Sequence, residues 1–169
     1  MGATEGLKQF AAAMIPVILT GASVLAGLWV IAMAIKKMTV IGDHRHGGQD
    51  ATWGGVGFSL LIGALLLQFS STMNDVSELI TGSQIQDVHG VLSYVDSKGS
   101  SFSAYHSVLE AVLIWIVFLG WISAFRGFLK WNQAANGQSQ GSDPFWVGLW
   151  HIIGGALAIN LGGIVNSFV

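Results

Sequence analysis

Charge is what this chain has least of. Of its 169 residues only 9% are Asp, Glu, Lys or Arg, while 52% are hydrophobic. A soluble domain carries about 25% charged residues. So little charge cannot coat a water-soluble surface, and the mean hydropathy of +0.62 points the same way. Cysteine is absent altogether. That excludes disulfides and thiolate metal sites, and leaves the redox compartment unmarked. The net charge is only −2, so no global basic field is available to recruit nucleic acid. Catalytic signatures are lacking too. There is no nucleophile motif and no pair of carboxylates, and Gly47-Gly48 is not followed by the Lys-Ser/Thr of a phosphate loop. No enzymatic activity, cofactor or metal site is expected.

What the chain does have is long apolar runs. Four of them, from about Phe10 to Ile35, Gly54 to Met73, Ser107 to Phe125 and Phe145 to Val165, contain almost no charge. Each approaches the roughly 20 residues an α-helix needs to cross a bilayer. The runs are continuous rather than alternating, so helices and not barrel strands must satisfy the backbone in lipid. The expected fold is all-α: a polytopic membrane protein with four transmembrane helices arranged as two tandem helical hairpins. It forms a single membrane domain over residues 1–169. Hairpin one covers about 10–73, an outer amphipathic segment about 74–105, and hairpin two about 106–169. The N-terminus, with Glu5 and Lys8 before a long apolar run, does not read as a cleavable leader.

Basic residues orient the helices. Lys36, Lys37 and Arg45 follow the first run, and Arg126 and Lys130 follow the third. The middle segment has Asp75, Glu78, Asp87 and Asp96 against a single Lys98. The positive-inside rule places the two basic loops in the cytoplasm, and both termini and the middle segment outside. Trp53, Trp131 and Trp146 fall at the cytoplasmic helix ends, where an aromatic belt belongs. Within the middle segment, apolar residues at spacings of three and four from Asp75 to Tyr94 predict an amphipathic helix on the outer membrane face. Pro16 allows a kink in the first helix.

The halves look alike. At an offset of 92, Trp29 meets Trp121, Ala32 meets Ala124, Gly63-Ala64-Leu65 meets Gly155-Ala156-Leu157, and Asn74 meets Asn166. Helix, basic loop, helix occurs twice in one orientation, which makes a parallel repeat.

Glycine is abundant, at 23 residues. Gly54, Gly55, Gly57 and Gly63 in the second helix, and Gly154, Gly155, Gly162 and Gly163 in the fourth, predict close-packed helix faces, within the chain or between copies. Ala22 to Ala26 and Ser59 to Gly63 are small-xxx-small spacings of the same kind. Four polar groups fall within the apolar runs: Gln68, Glu110, His151 and Asn160. The amides are expected to bond helices together rather than to line a path. Glu110 lies one turn inside the third helix and pairs at i, i+4 with His106, an interfacial arrangement rather than a proton relay. His106 and His151 sit near opposite membrane faces, so the two do not bracket a haem. His44 and His46 form too small a set for a metal.

The run Trp150-His151-Ile152-Ile153-Gly154-Gly155-Ala156-Leu157-Ala158-Ile159-Asn160 resembles the small membrane proteins of type IVB secretion and IncI-type conjugation systems, the IcmC/DotE and TraQ family. Length and hydropathy fit as well. The resemblance implies a non-enzymatic subunit of a transfer apparatus in a bacterial inner membrane, with other secretion or conjugation subunits as partners and DNA or protein cargo met only in passing. Each hairpin is also similar to the major pilins of conjugative systems. That likeness implies a homo-oligomer, a polymer that leaves the membrane as a pilus, phospholipid bound between subunits, and basic loops facing a lumen or lipid headgroups. Those pilins have a single hairpin; this chain has two. The alternative reading is a small transporter or channel.

Overall fold

A computed structural model describes residues 3–42, 52–82, 85, 103–138, 143–161 and 164. All regular structure among them is helical. Helix α1 spans Ala3–Gly42, α2 Trp53–Leu67, α3 Phe69–Thr81, α4 Ser103–Ala135 and α5 Pro144–Ile159. The stretches Val17–Ile41 of α1 and Val112–Ala135 of α4 are long and apolar enough to cross a membrane. Helices α2 and α3 together pass the same test, but they meet at a bend of 93°. Helix α5 is apolar and shorter, at 16 residues, about 24 Å.

Helix starts follow local chemistry. Thr52 caps α2, its hydroxyl accepting from the Gly55 N–H at 3.1 Å. Asp143 caps α5, its carboxylate accepting from the Phe145 N–H at 3.0 Å, with Pro144 at the first helical position. Both caps satisfy donors that the first turn leaves open. Helix α3 ends at Gly82, whose φ of 70° is the left-handed cap that glycine adopts without strain.

The bend corrects two sequence expectations. The second apolar run does not continue helically to Met73; it breaks at Gln68, with φ −106° and ψ 35°. The amphipathic helix starts at Phe69, six residues before the expected Asp75. The reason lies in tertiary packing. Phe69 is buried and makes edge-to-face contacts with Trp121, Phe125 and Phe128 of α4, at centroid distances of 5.5, 5.9 and 5.8 Å. Met73 and Ser77 follow one and two turns later, both fully buried. A straight continuation of α2 would carry this face away from α4.

The helices pack in a row. Helix α1 lies against α2, α2 against α4, and α4 against α5, while α3 turns back across α5. Hairpin α1–α2 therefore sits beside hairpin α4–α5, and α2 and α4 form the seam between them. One end of the bundle holds Lys36, Lys37 and the α4–α5 turn. At the other end α2 gives way to α3 and α5 reaches Asn160. The core along the seam includes Ile62, Leu66, Phe69, Met73, Phe128, Ile152 and Ile159.

Candidate assembly and helix-packing site

Each hairpin closes on a pair of glycines. In hairpin one, a Cβ on Gly27 would stand 2.9 Å from the Gly63 carbonyl oxygen. In hairpin two, a Cβ on Gly155 would stand 2.7 Å from the Gly120 carbonyl oxygen and 2.8 Å from the Ala124 nitrogen. A second crossing lies nearer the basic end, where a Cβ on Gly127 or on Gly148 would stand 2.7 Å from the other's carbonyl oxygen. Backbones come this close only where side chains are missing. At the seam, a Cβ on Gly55 would clash with the Ala135 carbonyl oxygen.

Of the glycines expected to pack, Gly55, Gly63 and Gly155 do so. Gly54, Gly57 and Gly154 are exposed, and no other part of the chain lies within 4 Å of their Cβ positions, so they pack against nothing within the described chain. One residue along a helix is a rotation of 100°, so adjacent glycines such as 154 and 155 face different surroundings. Gly162 and Gly163 lie outside the described residues. Gly27, Gly120, Gly127 and Gly148 were missed by the sequence reading. Three of them carried the small-xxx-small signal that could have found them, as Ser23 to Gly27, Gly120 to Ala124 and Ser123 to Gly127; Gly148 did not. Ser59 and Gly63 are both buried as that spacing suggests, whereas Ala22 is exposed.

The contacts also set the register of the repeat. Gly63 matches Gly155 at offset 92, but their partners Gly27 and Gly120 differ by 93. Helix α1 therefore maps onto α4 one residue further along than the side-chain identities suggested, and Lys37 falls on Lys130. Gln68 and Asn160 keep the offset of 92 and share a role. Each ends its helix, with φ, ψ of −106°, 35° and −98°, 20°, and each donates its backbone N–H to the fourth preceding carbonyl, Ala64 or Ala156. Their surroundings differ. Gln68 is exposed, whereas Asn160 is buried and its Nδ2 donates to Thr81 Oγ1 at 2.6 Å. Thr81 in turn donates to the Ser77 carbonyl at 2.8 Å. The amide thus ties the end of α5 to the end of α3.

His151 is half-buried, and its Nδ1 lies 2.7 Å from the Val147 carbonyl, a local contact within α5. The His151 carbonyl accepts from Ser123 Oγ at 3.1 Å, which adds a polar tie between α5 and α4. The side chains of Glu110 and His106 lie outside the described residues, as do the whole of Arg45, His44 and His46 and most of the 74–105 segment beyond Gly82. Among the described residues, no three of His, Asp and Glu gather as metal ligands would.

The basic residues expected in loops lie on helices instead, Lys36 and Lys37 in α1 and Arg126 and Lys130 in α4, because both helices run on past their apolar runs. Lys36 and Arg126 are exposed, and Lys130 is half-exposed. Lys37 donates from Nζ to Asn136 Oδ1 at 2.5 Å, joining the end of α1 to the α4–α5 turn. Aromatics gather at the same end. Trp131 stacks on Phe145 at 5.5 Å with 9° between planes, and its Nε1–H donates to the Phe145 carbonyl at 3.0 Å. Trp53 and Trp146 stand exposed beside them. An apolar ring with a polar edge at one level is what an aromatic belt at a membrane interface requires.

The outward surface is apolar. Leu25, Leu28, Trp29, Ile35, Leu61, Trp115, Leu119, Trp150 and Leu157 are all exposed large hydrophobics. In water such a surface would drive aggregation; it suits lipid or another helix. No family model, curated protein or solved structure matches this chain.

Proposed function

We propose that this protein is a non-enzymatic structural subunit of a bacterial type IV, IVB-like, transfer apparatus: a membrane-embedded block that assembles with copies of itself into a scaffold, conduit or pilin-like polymer. The observation that carries this reading is the exposed apolar surface of the outer helices, with Leu25, Leu28, Trp29 and Ile35 on α1 and Trp150 and Leu157 on α5. The local resemblance around Trp150–Asn160 supplies the class of apparatus.

In this reading all four apolar runs cross the inner membrane. Helices α2 and α5 are about 22–24 Å long by rise per residue, shorter than the hydrocarbon core of about 30 Å. Packing against the longer α1 and α4 commits them to the membrane, and local thinning accommodates the deficit. Lys36, Lys37, Arg45, Arg126 and Lys130 mark the cytoplasmic side, where they meet lipid headgroups, other subunits or passing cargo. Both termini and α3 lie outside. Packing is the whole mechanism: glycine crossings make each hairpin a rigid unit, and rigid units stack.

One observation favours the alternative of a small transporter or channel. A helix bent by 93° after Gln68, with Asn160 ending its equivalent, interrupts two apolar helices at corresponding positions of the repeat, as the broken helices of transporters do. The mass and shape of the gently solubilised particle, by size exclusion and electron microscopy, distinguish the two. A ring or filament of many copies is the expected result. A monodisperse monomer or dimer refutes the structural-subunit reading and makes solute flux in proteoliposomes the next measurement.

A further inference from the structure

Faces that are covered at the seam in one hairpin are bare at the corresponding positions of the other. On α2, Gly55, Phe58, Ile62 and Leu65 fall at three- and four-residue spacing along one face, which begins against the Ala135 carbonyl of α4. Ile62 is fully buried, and Phe58 and Leu65 are half-buried against the core. Their equivalents on α5 are Val147, Trp150, Gly154 and Leu157. Trp150 is 67% exposed, Leu157 39%, and nothing approaches Gly154.

The other side of the seam behaves the same way. On α4, Trp121, Phe125 and Phe128 hold Phe69. With the offset of 93, their equivalents on α1 are Leu28, Ala32 and Ile35. All three are exposed, Leu28 and Ile35 at 52% each. Gln68 and Asn160 add a third case. Asn160, in the second hairpin, is buried and bonded by Thr81 of α3; Gln68, its equivalent in the first hairpin, is exposed.

We propose that a second copy of this chain completes the pattern: the α5 face of Trp150, Gly154 and Leu157 packs on the α1 face of Leu28, Ala32 and Ile35 of the next copy, repeating the α2–α4 seam between molecules. This inference rests on the structural-subunit reading and deepens it. Neither strip carries an ionisable group, and Gly154 allows the same close backbone approach that Gly155 makes on the adjacent face. The two strips belong to different surfaces of one molecule, so the contact is heterologous. It propagates head to tail and gives a ring if the rotation closes and a filament if it does not. Two hairpins then contribute per copy, and the seam inside the chain and the seam between chains alternate along the assembly.

The absence of cysteine makes the test clean. The contact of Phe69 with Phe125 maps onto Leu161 of one copy with Ala32 of the next, and that of Gly55 with Ala135 maps onto Val147 with Gly42. Chains carrying Leu161→Cys with Ala32→Cys, or Val147→Cys with Gly42→Cys, are treated in native membranes with a short bis-maleimide. A chain with Lys37→Cys and Asn136→Cys, whose side chains meet within one molecule, serves as the internal control. The expected result is a ladder of dimers, trimers and higher species for both intermolecular pairs, none for the single-cysteine chains, and an intramolecular link for the control. If the control links and the purified particle is multimeric, yet neither pair gives a ladder, the seam is wrong and the structural-subunit reading survives. Lipid then covers these faces. A monomeric particle overturns both.

Discussion

Replacing Gly155 by alanine should push α5 off α4, whereas the same change at Gly154 should leave the fold untouched. The new methyl at residue 155 would sit 2.7 Å from the Gly120 carbonyl oxygen, 2.8 Å from the Ala124 nitrogen and 2.9 Å from the Ala124 Cβ. All three are backbone or rigid atoms, so no side chain can rotate away. Ordinary contact begins near 3.4 Å, which leaves the crossing about 0.7 Å too tight. Opening it by that amount loosens every neighbouring contact along the pair, since a radial gap of roughly 0.5–1 Å already forfeits a quarter to a half of each attraction. Overpacking of this kind costs about 1–3 kcal/mol. At residue 154 the methyl meets nothing within 4 Å. Gly63→Ala should be destabilising too, because Ile31 Cγ1 at 2.5 Å is bonded to the Cβ of a β-branched residue whose χ1 a helix holds in one rotamer, and the Gly27 carbonyl oxygen lies at 3.2 Å. The assay is reversible unfolding of the purified protein in detergent, with the three variants compared at one detergent concentration. Equal stabilities for Gly154→Ala and Gly155→Ala would refute the placement of the crossing. A larger loss at Gly154 would refute the rotation of α5 altogether. Detergent unfolding reads the single molecule, so an effect at Gly154 on assembly in membranes belongs to the intermolecular seam and not to this test.

Other perturbations probe the remaining parts. Phe69→Ala removes the ring on which α3 turns, and should cost roughly 3 kcal/mol, the low end for aromatic truncation; Gln68→Ala, at an exposed position, should change stability by less than about 0.5 kcal/mol, with both read from the same unfolding curves. Asn160→Leu and Thr81→Val each break the tie between α5 and α3, and a double-mutant cycle should return a coupling of about 0.6–1.7 kcal/mol, as for other amide and hydroxyl bonds between membrane helices; a coupling of zero would sink that bond. Lys37→Met removes the donor to Asn136 and should raise protease cleavage in the α4–α5 turn without dissociating the helices. Membrane-impermeant maleimide should label Gln138→Cys and Ser71→Cys from opposite sides of sealed vesicles, and labelling from one side would overturn the proposed topology.

The all-helical class was legible from composition alone. A chain this poor in charge, with continuous apolar runs, leaves its backbone no partner in lipid except itself. Helix starts were equally local. Thr52 and Asp143 act through their own side chains on N–H groups two or three residues away, so no tertiary context is needed to place them. The bend at Gln68 was not legible. Gln68 stood out only as one polar residue within an apolar run, and the pocket formed by Trp121, Phe125 and Phe128, more than fifty residues along the chain, is what makes turning there favourable.

Glycine shows the same division at finer scale. Its abundance announced close helix packing, but composition carries no rotation angle. Gly154 and Gly155 are adjacent and chemically identical, and one faces open space while the other lies against the backbone of α4. The repeat divided likewise. Matching residue types disclosed two similar halves, yet those matches put α1 and α4 one residue out of register. Side-chain identity constrains volume and polarity, whereas the crossing point of two helices is decided by where their backbones touch. What the sequence determined by itself was therefore the solvent this chain suits and the local starts of its helices. Which glycines pack, where the second helix breaks and which apolar faces remain uncovered were decided by tertiary structure, because each depends on the atoms of a distant helix.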